Sequence, residues 1–371
     1  MPGERTIAHV FATFGAGGPQ IRAVQLMARL GSGYRHVVMA MNGDTAAMAQ
    51  LPAGLDVTCV EPPPRAGLLA TARAQRRWLR GLRPDLTLTY NWGAIETALA
   101  ARRLGLPLVH HEDGFGPEEI HRRFRRRNWM RRALLAGVPV IVPSAVLAGI
   151  AQREWGIRGE RLALLPNGVD PARFRPSAEP GRTAAPTLGT VGGLRAEKDH
   201  ATLLRAFAAL PGSGPDAGAA PCLRLVGGGP LADELRALAE ELGVAARVEF
   251  VGPVSDTAPE YRQLDLFVLS SRTEQMPIAL LEAMASGCAV AATDVGDVGR
   301  ILPAAQHPFV VARENPEALT GVLVPLLADA ELRRRLGRSN RARVEECYEL
   351  SACLDRFVAV YERALTSRCR T

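Results

Sequence analysis

Short apolar runs alternate along this chain with longer stretches whose apolar positions recur at helical spacing. The runs predict strands at 6–14, 36–41, 56–60, 86–90, 106–110 and 138–142, with helices between them such as 21–30 and 66–81. This alternation builds a parallel, doubly wound sheet. A Pro/Gly-containing stretch, 176–186, then reads as a linker, and the pattern restarts. Strands are predicted at 187–191, 222–226, 247–251, 264–269 and 289–293, and helices at 200–210, 316–328, 331–348 and 351–366. Two domains are expected, 1–170 and 171–350, with the last helix a candidate to pack back on the first.

The stretch around residue 274 stands out from this pattern. A polar turn follows the apolar run 264–269, and helical spacing begins at Pro277 and stops at Gly287. Pro at the first helical position and Gly just past the last are start and stop signals. The turn therefore lies at the carboxyl end of a strand, where open α/β sheets bind ligands, and at a helix start, whose free N–H groups favour an anion. Glu274 and Glu282 flank it, with seven residues between them. A carboxylate accepts two hydrogen bonds at once and suits neighbouring sugar hydroxyls. Solvated helix-end glutamates would look the same in isolation. The second domain's first strand-to-helix junction adds two cations, Arg195 and Lys198, placed for a diphosphate.

Composition sharpens some of this. Of 45 basic residues Lys198 is the one lysine; the net charge is +7 in a chain of 371 residues. Six scattered cysteines without a Cys-x-x-Cys pair argue for a reducing compartment and against structural zinc. No apolar run approaches the roughly 20 residues of a membrane span, and the polar start leads straight into a strand. No signal peptide is therefore expected, and a cytoplasmic location is. The run from His121 to Arg132 holds seven arginines (Arg122 and Arg132 its first and last), with Phe124, Trp129 and Met130 among them. It reads as a solvated face or as a contact with an anionic membrane, peripheral on the inner face. No nucleic-acid reading module is recognised.

Three further features carry chemistry. Gly15-Ala16-Gly17-Gly18-Pro19 after the first strand lets a ligand approach the backbone. His111-Glu112-Asp113 after the fifth strand sets titratable groups at a strand end. Gly227, Gly229 and Ala232 match the loose dinucleotide pattern, which keeps an NAD-dependent dehydrogenase open as an alternative.

With Glu274, Glu282 and Lys198 placed, the sequence resembles the retaining glycosyltransferases of family 4. The resemblance rests on Gly17-Gly18-Pro19-Gln20, Leu165-Pro166-Asn167-Gly168-Val169-Asp170, the stretches 189–199 and 225–230, and above all Glu274 and Glu282 with Pro277 between. It implies the GT-B fold, two Rossmann-like doubly wound domains facing across a cleft, with the first on the acceptor side and the second binding the donor. It also implies transfer of a hexosyl unit from a UDP- or GDP-sugar to an acceptor hydroxyl, in assembly of a surface polysaccharide or glycolipid. Glu274 would meet the donor sugar's hydroxyls, Glu282 the ribose diol, and Lys198 with a neighbouring Arg the diphosphate. Gln275, Met276, Pro277, Gly17, Gly18 and Gly228 would complete the donor site. The family commonly has Arg where this chain has Gly193; Arg195 is the residue available to replace it. The family's acceptor-side His falls at His111 or Asp113, depending on the alignment of the loop. No Asp-x-Asp motif is present, so no metal or other cofactor is expected. A nucleotide-sugar epimerase of similar fold is the other alternative.

Overall fold

The computed structural model describes residues 5–64, 66–119, 123–177, 185–211 and 220–366. The chain divides into two compact units, Met1–Asn167 with Ala352–Thr371, and Gly168–Ser351. Among the described residues the first holds seven strands: β1 (Arg5–Phe11), β2 (Tyr34–Ala40), β3 (Val57–Val60), β4 (Leu86–Tyr90), β5 (Leu108–His111), β6 (Val140–Val142) and β7 (Leu162–Leu164). Their order is β3-β2-β1-β4-β5-β6-β7, and every neighbouring pair is parallel. The second holds six: β8 (Thr187–Val191), β9 (Cys222–Val226), β10 (Val248–Gly252), β11 (Leu266–Leu269), β12 (Ala289–Thr293) and β13 (Val310–Val311). Their order is β10-β9-β8-β11-β12-β13, again all parallel. The strand order reverses between β1 and β4 in one sheet and between β8 and β11 in the other.

The central strands read as unbroken apolar runs because helices cover both faces. Leu266, Phe267, Val268 and Leu269 are all buried; their side chains alternate between two core clusters, one on each face of the second sheet. The helix after the polar turn, Ile278–Ala285, ends as its glycine predicts. Gly287 has φ +76°; its N–H donates to Met284 O at 3.0 Å, and the N–H of Cys288 to Ala283 O at 3.0 Å. This paired closure satisfies two carbonyls that a helix end leaves open.

Several boundaries move for identifiable reasons. The first strand stops at Phe11 rather than 14, because the chain leaves the sheet and Phe14 N donates to Asp44 O at 2.9 Å. Pro277 is not the first helical residue: its backbone is extended (ψ 118°), and it caps a helix that begins at Ile278. The Arg-rich helix is Arg125–Leu134; His121 and Arg122 lie outside the described residues, as do most of the linker and of the 211–221 loop.

Candidate active site

The loops that follow β8 and β11 leave adjacent strands at the reversal of the second sheet, so they emerge side by side. Lys198 ends the short turn Ala196–Lys198. Its Nζ donates to Glu274 Oε1 at 2.5 Å, and Ser271 Oγ donates to the same oxygen at 3.0 Å. The Lys198 side chain keeps 29% of its exposure and that of Glu274 14%, so the pair is half open to solvent.

The turn carrying Glu274 is fixed from several directions. Ser270 Oγ donates to Lys198 O at 2.9 Å, and Arg272 N to Glu197 O at 2.9 Å. Thr293 Oγ1 donates to Ser271 O at 2.7 Å, and Asp297 N to Gln275 O at 3.0 Å. Gly296 completes the support. It has φ +54°, and a Cβ there would stand 2.3 Å from Glu274 O and 2.7 Å from Gln275 O. Only glycine meets both demands cheaply. Met276 and Pro277 are buried beneath the turn, Met276 in a core cluster. The supporting parts of Thr293 and Gly296 leave one mark in the sequence, a glycine inside Asp294-Val295-Gly296-Asp297.

Glu282 lies one turn into the helix and is half-buried. Burial pushes its carboxyl up to about 7, although Tyr261 OH donates to Oε2 at 2.8 Å. No other side chain among the described residues is bonded to this carboxylate, and the group changes charge near neutral pH. Arg195 is exposed, with only a 3.8 Å contact to Glu197. Its Nε lies 3.0 Å from the point where a Cβ on Gly193 would stand, so its side chain covers the position left bare at 193.

The glycines that match the loose dinucleotide pattern have a packing role. A Cβ on Gly227 would lie 2.0 Å from Gly192 O, and one on Gly229 2.4 Å from Leu194 O. Between them Gly228 O accepts the N–H of Leu194 at 2.9 Å. These residues let two loops touch backbone to backbone, which accounts for the glycines without a dinucleotide.

In the first unit, Gly17 precedes and Gly18 begins the helix Gly18–Leu30. That helix sends Arg22 inward, where Nη2 meets Asp113 Oδ1 at 2.7 Å and Nη1 donates to Asn167 Oδ1 at 2.8 Å. Asn91 Oδ1 accepts the N–H of Asp113 at 2.7 Å and fixes its backbone. His111 is fully buried between the rings of Tyr90 and Phe357, its Nε2 2.9 Å from Tyr361 OH. Burial, then Arg22, holds it well below the usual histidine range. Three stretches that the sequence shows far apart thus meet through Arg22, a residue that sequence reasoning did not single out.

Three arginines of the basic run are committed to the fold. Arg131 is fully buried, with its guanidinium 5.1 Å from the Trp92 and Trp155 rings and 5.3 Å from Phe115, and Nε donating to Glu112 at 3.0 Å. Burial alone would raise Glu112; Arg131 and His110 more than offset it and hold the carboxyl below its usual range. Arg127 pairs with Glu118 and Glu119, and Arg123 with Glu154. Arg123, Arg127 and Arg131 are thus matched within the fold, while Arg125, Arg126, Trp129 and Arg132 remain exposed. Among the described residues no three His, Cys, Asp or Glu are grouped to hold a metal ion, and no helix is long and apolar enough to cross a membrane.

Comparison with known proteins matches the same two halves. Residues 16–173 fit the model of Glycosyltransferase Family 4, and residues 176–343 that of Glycosyl transferases group 1. The chain is 28% identical to a D-inositol 3-phosphate glycosyltransferase of Streptomyces avermitilis, over 98% of this chain and 86% of that protein. It is 35% identical to a lipopolysaccharide core biosynthesis mannosyltransferase, LpcC, of Rhizobium leguminosarum, over 36% of this chain and 38% of that one. Among solved structures, Anabaena HepE in complex with UDP and glucose superposes with a TM-score of 0.82 at 18% identity, over 97% of this chain and all of that one (100%). That likeness identifies the fold as GT-B. With two family models spanning nearly the whole chain, this protein belongs to the family 4, group 1 glycosyltransferases and uses a nucleotide sugar.

Proposed function

We propose that this enzyme moves a hexosyl unit from a uridine or guanosine diphosphate sugar to an acceptor hydroxyl and retains the anomeric configuration. The observation that carries the reading is the half-open Lys198–Glu274 pair, at the strand-order reversal, on the turn that leads to Glu282. In the reaction the bond from the sugar's anomeric carbon to the diphosphate breaks, and a bond from the acceptor oxygen forms on the same face. The acceptor's proton passes to the departing diphosphate oxygen. Negative charge grows on that diphosphate. Lys198, Arg195 and the helix start at Ile278 would meet it, one well-placed donor contributing about 3 kcal/mol. Glu274 would hold the sugar hydroxyls and Glu282 the ribose diol, with Gln275, Met276, Pro277 and Gly228 shaping the donor site. Gly17 and Gly18 would bring backbone to the substrate. On the acceptor side we assign Asp113 and His111 positioning parts: the geometry leaves Asp113 Oδ2 without a hydrogen-bond partner, while His111 is enclosed.

The solved relative holding UDP and glucose favours uridine as the base. The mannosyltransferase relative favours a surface saccharide or glycolipid as acceptor. The exposed Arg125, Arg126, Trp129 and Arg132 would bring the enzyme to an anionic membrane face. A thermal-shift screen of nucleotide sugars tests the donor assignment. UDP-glucose should raise the melting temperature, and Lys198→Ala and Glu282→Ala should each lose that shift while staying folded. A shift kept by both variants overturns the assignment. The reading uses no metal, so transfer should proceed undiminished in a chelator.

A further inference from the structure

The second sheet has two ends, and the site above uses only the carboxyl one. At the amino end lies a cavity of about 600 Å³, bounded by Thr187 and Cys222 at the starts of β8 and β9 and by Ser286 and Gly287 ahead of β12. Small-molecule sites span roughly 300–1,000 Å³. One face of the helix Ala330–Cys347 forms a wall: Ala330, Arg333, Arg334, Gly337, Arg338 and Arg341 all line it, at three- and four-residue spacing. With Arg224 and Arg262, the lining carries six arginines against two carboxylates, Glu249 and Asp265.

Half of these arginines already serve the fold. Arg224 pairs with Glu249 and Glu260, Arg333 donates to the carbonyls of Leu326 and Leu327, and Arg341 to those of Phe174 and Ala285. The rest are under-matched. Arg334 and Arg338 share the single carboxylate of Glu331, with side chains 57% and 68% exposed. The Arg262 guanidinium makes no hydrogen bond or ion pair among the described residues; only its backbone N–H donates, to Glu260 O. The interior of the cavity also lacks partners. Ser286 is 5% exposed, lines the cavity, and among the described residues its hydroxyl makes no hydrogen bond; Nε of Arg224 makes none either. A buried polar group left unmatched is costly, and a bound acceptor would recover that cost.

We propose that this cavity binds a small phosphorylated molecule. Arg262, Arg334 and Arg338 would take the phosphoryl oxygens, for which guanidinium forks are well shaped, and the Ser286 hydroxyl would donate a further bond. Leu264 and Pro176 offer apolar wall to a carbon skeleton. The site lies a strand's length from Lys198, about 17 Å for five residues, and it stands whether or not the sugar-transfer reading does.

Cys222 gives a direct readout, because it lines the cavity and is exposed, whereas Cys59 is exposed in the other unit. Iodoacetamide labelling of each cysteine would be followed peptide by peptide in the full chain. The probes are glucose 6-phosphate, inorganic pyrophosphate and inorganic phosphate, with chloride at equal ionic strength as the control. A probe at about ten times its Kd should slow Cys222 labelling about tenfold and leave Cys59 unchanged. The probe that acts first distinguishes a phosphomonoester from a diphosphate or free phosphate. Protection should survive Lys198→Ala and disappear in the double variant Arg262→Ala, Arg338→Ala; Arg338 is exposed and Arg262 half-buried without a side-chain partner among the described residues, so the melting temperature should change little. No protection by any of the three probes overturns the proposal. So does protection that Lys198→Ala removes, since the probe would then sit at the donor side.

Discussion

At the strand-order reversal of the first sheet, charge is sealed in: Arg22 and Asp113 keep 4% and 7% of their side-chain exposure, beside the enclosed His111. At the same place in the second sheet, Lys198 and Glu274 keep 29% and 14%. One architecture thus puts its switch-point polar groups to two uses. In the first unit they hold one another, with Asp113 Oδ2 left over, and tie the 350–366 helix to the sheet, through Tyr361 on His111 and Phe357 under Arg22. In the second unit the pair stays partly wet, as the proposed donor role requires. Buried pairs resist separation because either member alone would be an unmatched charge; half-exposed pairs hold one another weakly.

The strongest way to break this contrast is to remove one cation from each place. Arg22→Ala should cost about 3–5 kcal/mol of stability, because Asp113 is left buried and alone. Lys198→Ala should leave the melting temperature nearly unchanged and lower kcat/KM about a hundredfold or more. Denaturant melts and initial rates on both variants check the pair; the reverse pattern would show that the roles are exchanged.

Acid separates the units next. His9, His36 and His111 are held below their usual range by burial, His36 to about 4 from 6.5. Unfolding lets them bind protons, so the first unit loses stability as pH falls from about 6.5 to 4, by about 3 kcal/mol for His36 alone. In the second unit His200, also lowered to about 4, acts the same way. Glu282, raised to about 7 from 4.5, acts in reverse: its contribution is full below 4.5 and fades as pH rises to 7. The two oppose one another, and the second unit should change little between pH 4.5 and 6.5. Amide hydrogen exchange at those two pH values, read on β1 and β4 against β8 and β11, would show it; equal acid loss in both sheets refutes it.

The smallest effect sharpens the second site. Tyr261→Phe removes the one hydroxyl that donates to Glu282, at a stability cost of about 1 kcal/mol. With that donor gone, the Glu282 carboxyl should titrate higher, and donor affinity should begin its rise with pH at a higher value. Calorimetric titrations with UDP-glucose across neutral pH would detect the displacement, and an unmoved profile would detach Tyr261 from the donor side.

Much of the second site was legible because its parts are local. The Glu274 turn, the helix stop at Gly287 and the glycine-rich loops lie on short segments whose turn and cap chemistry is visible in order. Lys198 meets Glu274 across 76 residues, yet both mark strand-to-helix junctions that the alternating pattern locates. The first site resisted such reading. Arg22 meets Asn167 across 145 residues and His111 meets Tyr361 across 250, and a run of His, Glu and Asp looks wet until its partners are known. Arg131 shows the same limit. Nothing nearby in its run announces an aromatic box assembled from Trp92, Phe115 and Trp155.

Lys198 carries a practical consequence, because it is the only lysine in the chain. An acylating dye selective for primary amines meets one side chain, and that side chain sits opposite Glu274; peptide mapping tells it apart from the α-amino terminus. The unaltered protein therefore offers a single-address tag, with no engineered cysteine required. A fluorophore attached there would sense the arrival of anything that competes for the ammonium.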